Sequence, residues 1–223
     1  PVSIAEGSTL TISRSDLLDY KTTPKMRVVS GAGDLVFDGG GVFFNYPGGG
    51  IGFNDPETWS LFSGDITVIN GSEVQTIRNG ANALGTGTII LGDETTSGTL
   101  SQIEGNWTRT QNIELVGSDN FISNNSAGAD RWEKLQGVIS GAGNVTFIDN
   151  VGAMNDLNRG FILTGDNTAS GTITIAAGTP LRVGGVPGDN FDQFAAPSGS
   201  LGTAEIVNNG TLTFSRTDAH TVN

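Results

Sequence analysis

The sequence predicts an all-β protein: a parallel β-solenoid of roughly nine or ten rungs, each of about 20–30 residues, with loop insertions. Three observations carry this. Short apolar bursts alternate with polar residues at a period of two, as in Thr9–Ser13 and Thr211–Phe214, which is the pattern of strands with one buried face. Glycine makes up 34 of 223 residues, about twice the ordinary share of ~7%. The chain also repeats itself: TLTISRSD at Thr9–Asp16 returns as TLTFSRTD at Thr211–Asp218.

The repeated elements follow one order. VVSGAGDLVF at Val28–Phe37 returns as VISGAGNVTF at Val138–Phe147, SGDITVINGS at Ser63–Ser72 as SGTITIAAGT at Ser170–Thr179, and ALGTGTIILG at Ala83–Gly92 as SLGTAEIVNN at Ser200–Asn209. A diverged further copy of the first element reads GTLSQIEGNWTRTQNIELVG at Gly98–Gly117. The chain thus reads as one solenoid of two long cycles, residues 1–97 and 98–210, with a third starting at 211–223. Leu10 and Ile12, Val145 and Phe147, Ile173 and Ile175, and Leu212 and Phe214 alternate with Thr, Ser or Asn and are expected to face inward. Asn70-Gly71, Asn79-Gly80, Asn209-Gly210, Ser30-Gly31, Ser140-Gly141 and Ser170-Gly171 supply turns. The two opening and closing octets are expected to be the same strand and corner of the solenoid, with Arg14, Arg216, Asp16 and Asp218 at the corner or outside. No stretch has helical periodicity with caps; Asp130–Gln136 reads as a loop or a single helical turn. Without helices a conventional βαβ sheet is excluded. The alternative architecture is an antiparallel β-sandwich, against which the long-range repetition counts. At about 4.8 Å per rung the rod would be about 45 Å long.

Composition narrows the function. The net charge of −12 argues against nucleic acid, since phosphate binding needs clustered Lys and Arg, and against anionic membrane surfaces. Only three lysines are present, Lys21, Lys25 and Lys134, and cysteine is absent, which removes disulfides and thiolate metal sites. No apolar run approaches the ~18 residues of a membrane span.

The run from ISGAGNVTF through FILTGDNTASGTITIAAGTPLRVGG to SLGTAEIVNNGTLTFSRTDAHTV resembles the autotransporter-associated β-strand repeat. The resemblance covers Leu135–Asn223 well and Val2–Gly92 more loosely. It implies a right-handed parallel β-helix in the passenger part of a bacterial surface protein, extracellular at the outer-membrane surface, serving as stalk, adhesin or fibre. It carries over no catalytic residues.

Each candidate for chemistry has a structural counterpart. Gly31-Ala32-Gly33 and Gly141-Ala142-Gly143 begin like a dinucleotide fingerprint, but strands follow where that motif needs a helix. His220 is the single histidine, too little for a nucleophile–base pair elsewhere in the chain. Asp16 with Asp19, Asp93 with Glu94, and Asp189 with Asp192 are carboxylate pairs of the kind that β-helix polysaccharide enzymes use, yet none has metal-ligand spacing. Asp16 and Asp218 recur with the repeat, which points to turn capping. No cofactor is expected, and an incidental Ca²⁺ on these carboxylates stays open.

Function is sought where the repeat breaks, at insertions 39–62 and 186–197. The first insertion is rich in aromatics, with Phe43, Phe44, Tyr46, Phe53, Trp59 and Phe62 close together. With Phe191 and Phe194 in the second insertion they form the candidate contact loops: Phe43, Phe44, Tyr46, Phe53, Trp59, Phe191 and Phe194. Exposed aromatics stack on sugars or anchor a protein partner; the structural counterpart is a satellite core against the solenoid. Both termini fall inside recognisable repeats, so neighbouring sequence or another copy is expected there. The expectation is a non-enzymatic structural segment of a secreted bacterial cell-surface protein that presents loops for contact. Its expected partners are neighbouring repeats of the parent chain or copies of itself, and a surface glycan or protein, with no membrane insertion by this segment. The alternatives are a self-assembling extracellular filament subunit and a polysaccharide-active β-helix enzyme.

Overall fold

Among the described residues, twenty-one short strands wind into stacked parallel sheets and there is no helix. The computed structural model describes residues 2–18, 29–45, 61–77, 84–103, 107–126, 131–150, 159–185 and 199–216. In chain order the first strands are β1 (Val2–Ile4), β2 (Thr9–Ser13), β3 (Leu17–Leu18), β4 (Val29–Gly31), β5 (Asp34–Asp38) and β6 (Val42–Asn45). Next come β7 (Ile66–Val68), β8 (Ser72–Ile77), β9 (Ile89–Leu91), β10 (Gly98–Ile103), β11 (Trp107–Arg109), β12 (Ile113–Leu115) and β13 (Asn120–Asn124). The last are β14 (Trp132–Leu135), β15 (Ile139–Ser140), β16 (Val145–Asp149), β17 (Gly160–Leu163), β18 (Thr172–Ile175), β19 (Pro180–Val183), β20 (Glu205–Asn208) and β21 (Thr211–Phe214).

Sheet I stacks β2-β5-β7-β9-β12-β15, sheet II stacks β3-β6-β8-β10-β13-β16-β18-β20, and sheet III stacks β11-β14-β17-β19-β21. A two-stranded sheet pairs β1 with β4. Every strand pair among the described residues is parallel. This is a parallel β-solenoid, so the antiparallel sandwich is excluded. The longest ladder among the described residues has eight strands, against nine or ten rungs expected. Turn length is uneven: the chain returns to the same ladder position over a stretch as short as Phe161 to Leu181 or as long as Ile173 to Ile206.

The core follows from alternation and stacking together. In sheet I, Leu10, Leu35, Ile66, Ile89, Ile113 and Ile139 lie one above another. In sheet II, Val74, Leu100, Ile122, Phe147 and Ile175 do the same. All but Leu10 are fully buried, and each such side chain contributes roughly 1.5–3 kcal/mol of transfer free energy. Phe147 meets Phe161 of sheet III edge-on, ring centroids 5.1 Å apart. At one corner, glycines let the turns stack tightly: a Cβ on Gly64 would lie 2.0 Å from the Gly33 carbonyl oxygen, and one on Gly87 2.0 Å from that of Gly64.

Two sequence expectations are corrected. Trp132–Leu135, within the stretch read as a loop or helical turn, is strand β14, paired with β11 and β17. Its neighbours on both sides supply the ladder that WEKL does not advertise. The repeated octets also do not share a strand position. TLTIS is β2 of sheet I, GTLSQI is β10 of sheet II, and TLTF is β21 of sheet III. Other repeated pairs advance in the same way: Asp34–Asp38 is in sheet I and its copy Val145–Asp149 in sheet II, and Ile66–Val68 is in sheet I and Thr172–Ile175 in sheet II. Each cycle covers a whole number of turns plus one side, so each copy starts one face further round.

Candidate functional site

The contact-loop residues lie largely beyond the described part of the structure. Phe43 and Phe44 belong to β6, which pairs with β3 and β8 in sheet II, so the insertion read at 39–62 begins as a regular strand of the ladder. Tyr46, Phe53, Trp59, Phe191 and Phe194 fall outside the described residues. Phe62, from the same aromatic run, is fully buried in the core and bridges Gly31, whereas its neighbour Leu61 is 74% exposed.

Two of the carboxylates that were candidates for acid–base work, Asp16 and Asp93, have local partners. Asp16 forms a two-pronged ion pair with exposed Arg14, at 2.7 and 2.5 Å. The hydrogen bond from Arg14 holds its carboxyl below the ordinary value. Asp93 Oδ1 accepts from the Thr95 and Thr96 amides, at 2.8 and 2.6 Å, closing a turn, and these bonds lower its pKa. Asp19, Asp189, Asp192 and His220 fall outside the described residues. Among the described residues no three His, Cys, Asp or Glu side chains gather as metal ligands. The Gly31 and Gly141 turns run directly into β5 and toward β16, as repeat turns do.

A cluster that sequence reasoning missed lies inside the solenoid, where sheets II and III meet. Thr76, Gln102, Asn124 and Asp149 stack in register two residues beyond the apolar ladder of sheet II, all buried. Opposite them, Glu133 occupies the ladder position of Phe161 and Leu181, and Arg109 that of Leu135 and Leu163. Alternation therefore turns both charges inward. Arg109 Nε and one terminal nitrogen donate to Glu133 Oε1 at 3.0 and 2.8 Å, and that nitrogen also donates to Thr76 Oγ1 at 3.0 Å. One turn further on, Arg159 grips both oxygens of Asp149 at 2.7 and 2.8 Å and donates to the Ser126 carbonyl at 2.9 Å. Asn124 Nδ2 donates to the Arg131 carbonyl at 3.0 Å, tying the end of β13 to the start of β14.

Glu133 is 0% exposed and Arg109 6%. Burial pushes the Glu133 carboxyl up, outweighing the charge and hydrogen bonds of Arg109, which pull it down. Glu133 Oε2 has no hydrogen-bond partner among the described residues. The cluster is buried, and its hydrogen bonds tie sheet II to sheet III. Its signal in the sequence was the alternation W-E-K-L, in which Glu133 shares the phase of Leu135; aligned with the ladders above, that phase is inward.

On the outer face of sheet III, the Arg182 guanidinium carbon lies 5.2 Å from the ring centroid of Trp132. Lys134, one residue from Glu133 and facing outward, is buried, and burial lowers its pKa.

Asn and Asp side chains fasten the corners of successive turns. Asp34 Oδ1 accepts from the Asp65 amide (3.1 Å), Asp65 Oδ1 from Thr88 (2.8 Å), and Asn112 Oδ1 from Val138 (3.0 Å). At the next corner Asn120 Oδ1 accepts from the Gly98 amide at 3.0 Å, while its Nδ2 donates to the Val116 and Asn144 carbonyls at 2.8 and 3.1 Å. Comparison with protein-family models, with curated proteins and with solved structures found no match to this chain.

Proposed function

We propose that the chain is a non-enzymatic structural segment of a secreted bacterial cell-surface protein, a stalk, adhesin or fibre part that works as a stiff spacer and presents loops for contact. The observation that carries this reading is the parallel ladder itself: eight strands in one sheet at about 4.8 Å spacing span roughly 34 Å. Its described polar clusters join the molecule's own turns. The repeat resemblance supports the same reading and adds the expected place, the outer surface of a bacterium. A rod of this kind transmits position: each turn is bonded only to the turns beside it, so length scales with the number of turns.

A second reading, self-assembly into a filament, draws on one feature. The partly exposed apolar residues packed on the core, Val2, Leu10, Ile12, Ala204, Ile206 and Leu212, all lie on the first or last turns. Electron microscopy of the purified chain separates the two. Isolated short rods fit a spacer, and continuous fibres fit the filament. Release of unsaturated oligosaccharides from an acidic polysaccharide would overturn both in favour of an enzyme.

A further inference from the structure

We propose that the two interior ion pairs, Arg109–Glu133 and Arg159–Asp149, are a register lock that fixes which turn stacks on which. The need for one follows from the ladders. Inward positions of sheet I hold Leu35, Ile66, Ile89, Ile113 and Ile139, and those of sheet II hold Val74, Leu100, Ile122, Phe147 and Ile175. The Leu and Ile that hold most of these positions pack acceptably on one another, because volume-conserving apolar swaps cost little. If the turn at residues 107–126 were left out of the stack, Ile89 would meet Ile139 and Leu100 would meet Phe147, still apolar on apolar. Because the sequence repeat is out of phase with the turn, similarity between copies does not select the neighbour either.

The charges do discriminate. Leaving out residues 107–126 strips Glu133 of Arg109 and Arg159 of the Ser126 carbonyl. Leaving out residues 131–150 strips Arg109 of Glu133 and Arg159 of Asp149. Each skip takes one partner of the buried Arg109–Glu133 pair and leaves the other in the interior, which is strongly unfavourable, whereas replacing a whole buried pair by apolar side chains is often neutral or stabilising. Asp149 on β16 and Glu133 on β14 have described strands on both sides, whereas β11, which carries Arg109, is the outermost described strand of sheet III.

The absence of cysteine allows a direct test by introduced disulfides. Thr99 and Phe121 are register partners on the outer face of sheet II, as are Phe121 and Thr146, and Thr146 and Thr174. Thr99→Cys with Phe121→Cys should close in the native register. Thr99→Cys with Thr146→Cys should not, since two ladder spacings, about 9.6 Å, exceed the ~7 Å a disulfide spans. In an Arg109→Met/Glu133→Leu background the chain should fold with unchanged strand content after refolding from denaturant. Closure of the skipped Thr99–Thr146 pair should then rise at least about tenfold. An Asp149→Leu/Arg159→Met background, read with Phe121→Cys and Thr174→Cys, tests the second pair in the same way. The proposal is overturned if either background folds and closes only the native pair. It is equally overturned if neither background folds, because the pairs would then hold the fold together rather than choose its register.

Discussion

Leu61 and Phe62 show how sharply environment changes from one residue to the next on this chain, since Leu61 is 74% exposed and Phe62 0%. Phe62→Ala should cost about 3–5 kcal/mol in denaturant unfolding, whereas Leu61→Ser should stay within about 0.5 kcal/mol. Equal effects would contradict the assignment of Phe62 to the core. Glu133 gives a prediction of a different kind. Its folded pKa is raised, mainly by burial, above the ordinary value of 4.5. Folding therefore favours its protonated form. Stabilisation from this group is complete below about pH 4.5 and is lost as pH rises through the folded value. Glu133→Gln removes that dependence, so the variant's Tm should gain on the native protein's as pH rises above about 4.5. A Tm difference that does not change with pH would show that the carboxyl titrates alike in both states.

At the scale of elements, corners matter as much as strands. Asn120 is 0% exposed and stands in the ladder position of Val145 and Ile173, where an apolar residue would be expected. It instead satisfies the Gly98 amide and two carbonyls of neighbouring turns. Asn120→Ala removes three hydrogen bonds and takes the acceptor from the buried Gly98 amide, for an expected loss of about 2–3 kcal/mol in thermal or denaturant unfolding. Retained stability would mean that these groups find other partners. Strand β14 makes the converse point. WEKL has no obvious strand signature, yet it pairs on both sides because the turns around it leave no other place for its backbone bonds.

At the scale of the whole molecule, stability should grade along the ladder. Among the described strands, the inward residues of the first and last turns have a ladder neighbour on one side: Leu10, Ile12, Ile206 and Leu212 are partly exposed, and Phe214 reaches 36%. Leu100, Ile122 and Phe147, midway, are fully buried. Amide hydrogen exchange should be slowest in β10, β13 and β16 and fastest in β2 and β21. Uniform protection would instead indicate that the chain ends are covered in solution, as the filament reading requires.

Much of this architecture was legible in the sequence. Period-two alternation in Leu10–Ile12, Val145–Phe147 and Ile173–Ile175 marked the strands. Repetition from one end of the chain to the other favoured a solenoid over a sandwich. Both signals depend only on local side-chain order. The phase of the repeat was not legible. TLTIS and TLTF lie in different sheets because turns differ in length, from the short one between Phe161 and Leu181 to the long one between Ile173 and Ile206. Only summed turn lengths decide which face a copy reaches. Nor was the interior cluster legible. Arg109, Glu133, Asp149 and Arg159 are ordinary surface residue types one at a time. Arg109 and Glu133 become partners only when the chain completes a turn and stacks on itself. Residue order was enough to dictate the alternating apolar strands, their inward faces and the parallel stacking. Which strands are neighbours emerged only from the folded stack, because a ladder of interchangeable apolar rungs carries no local mark of its register.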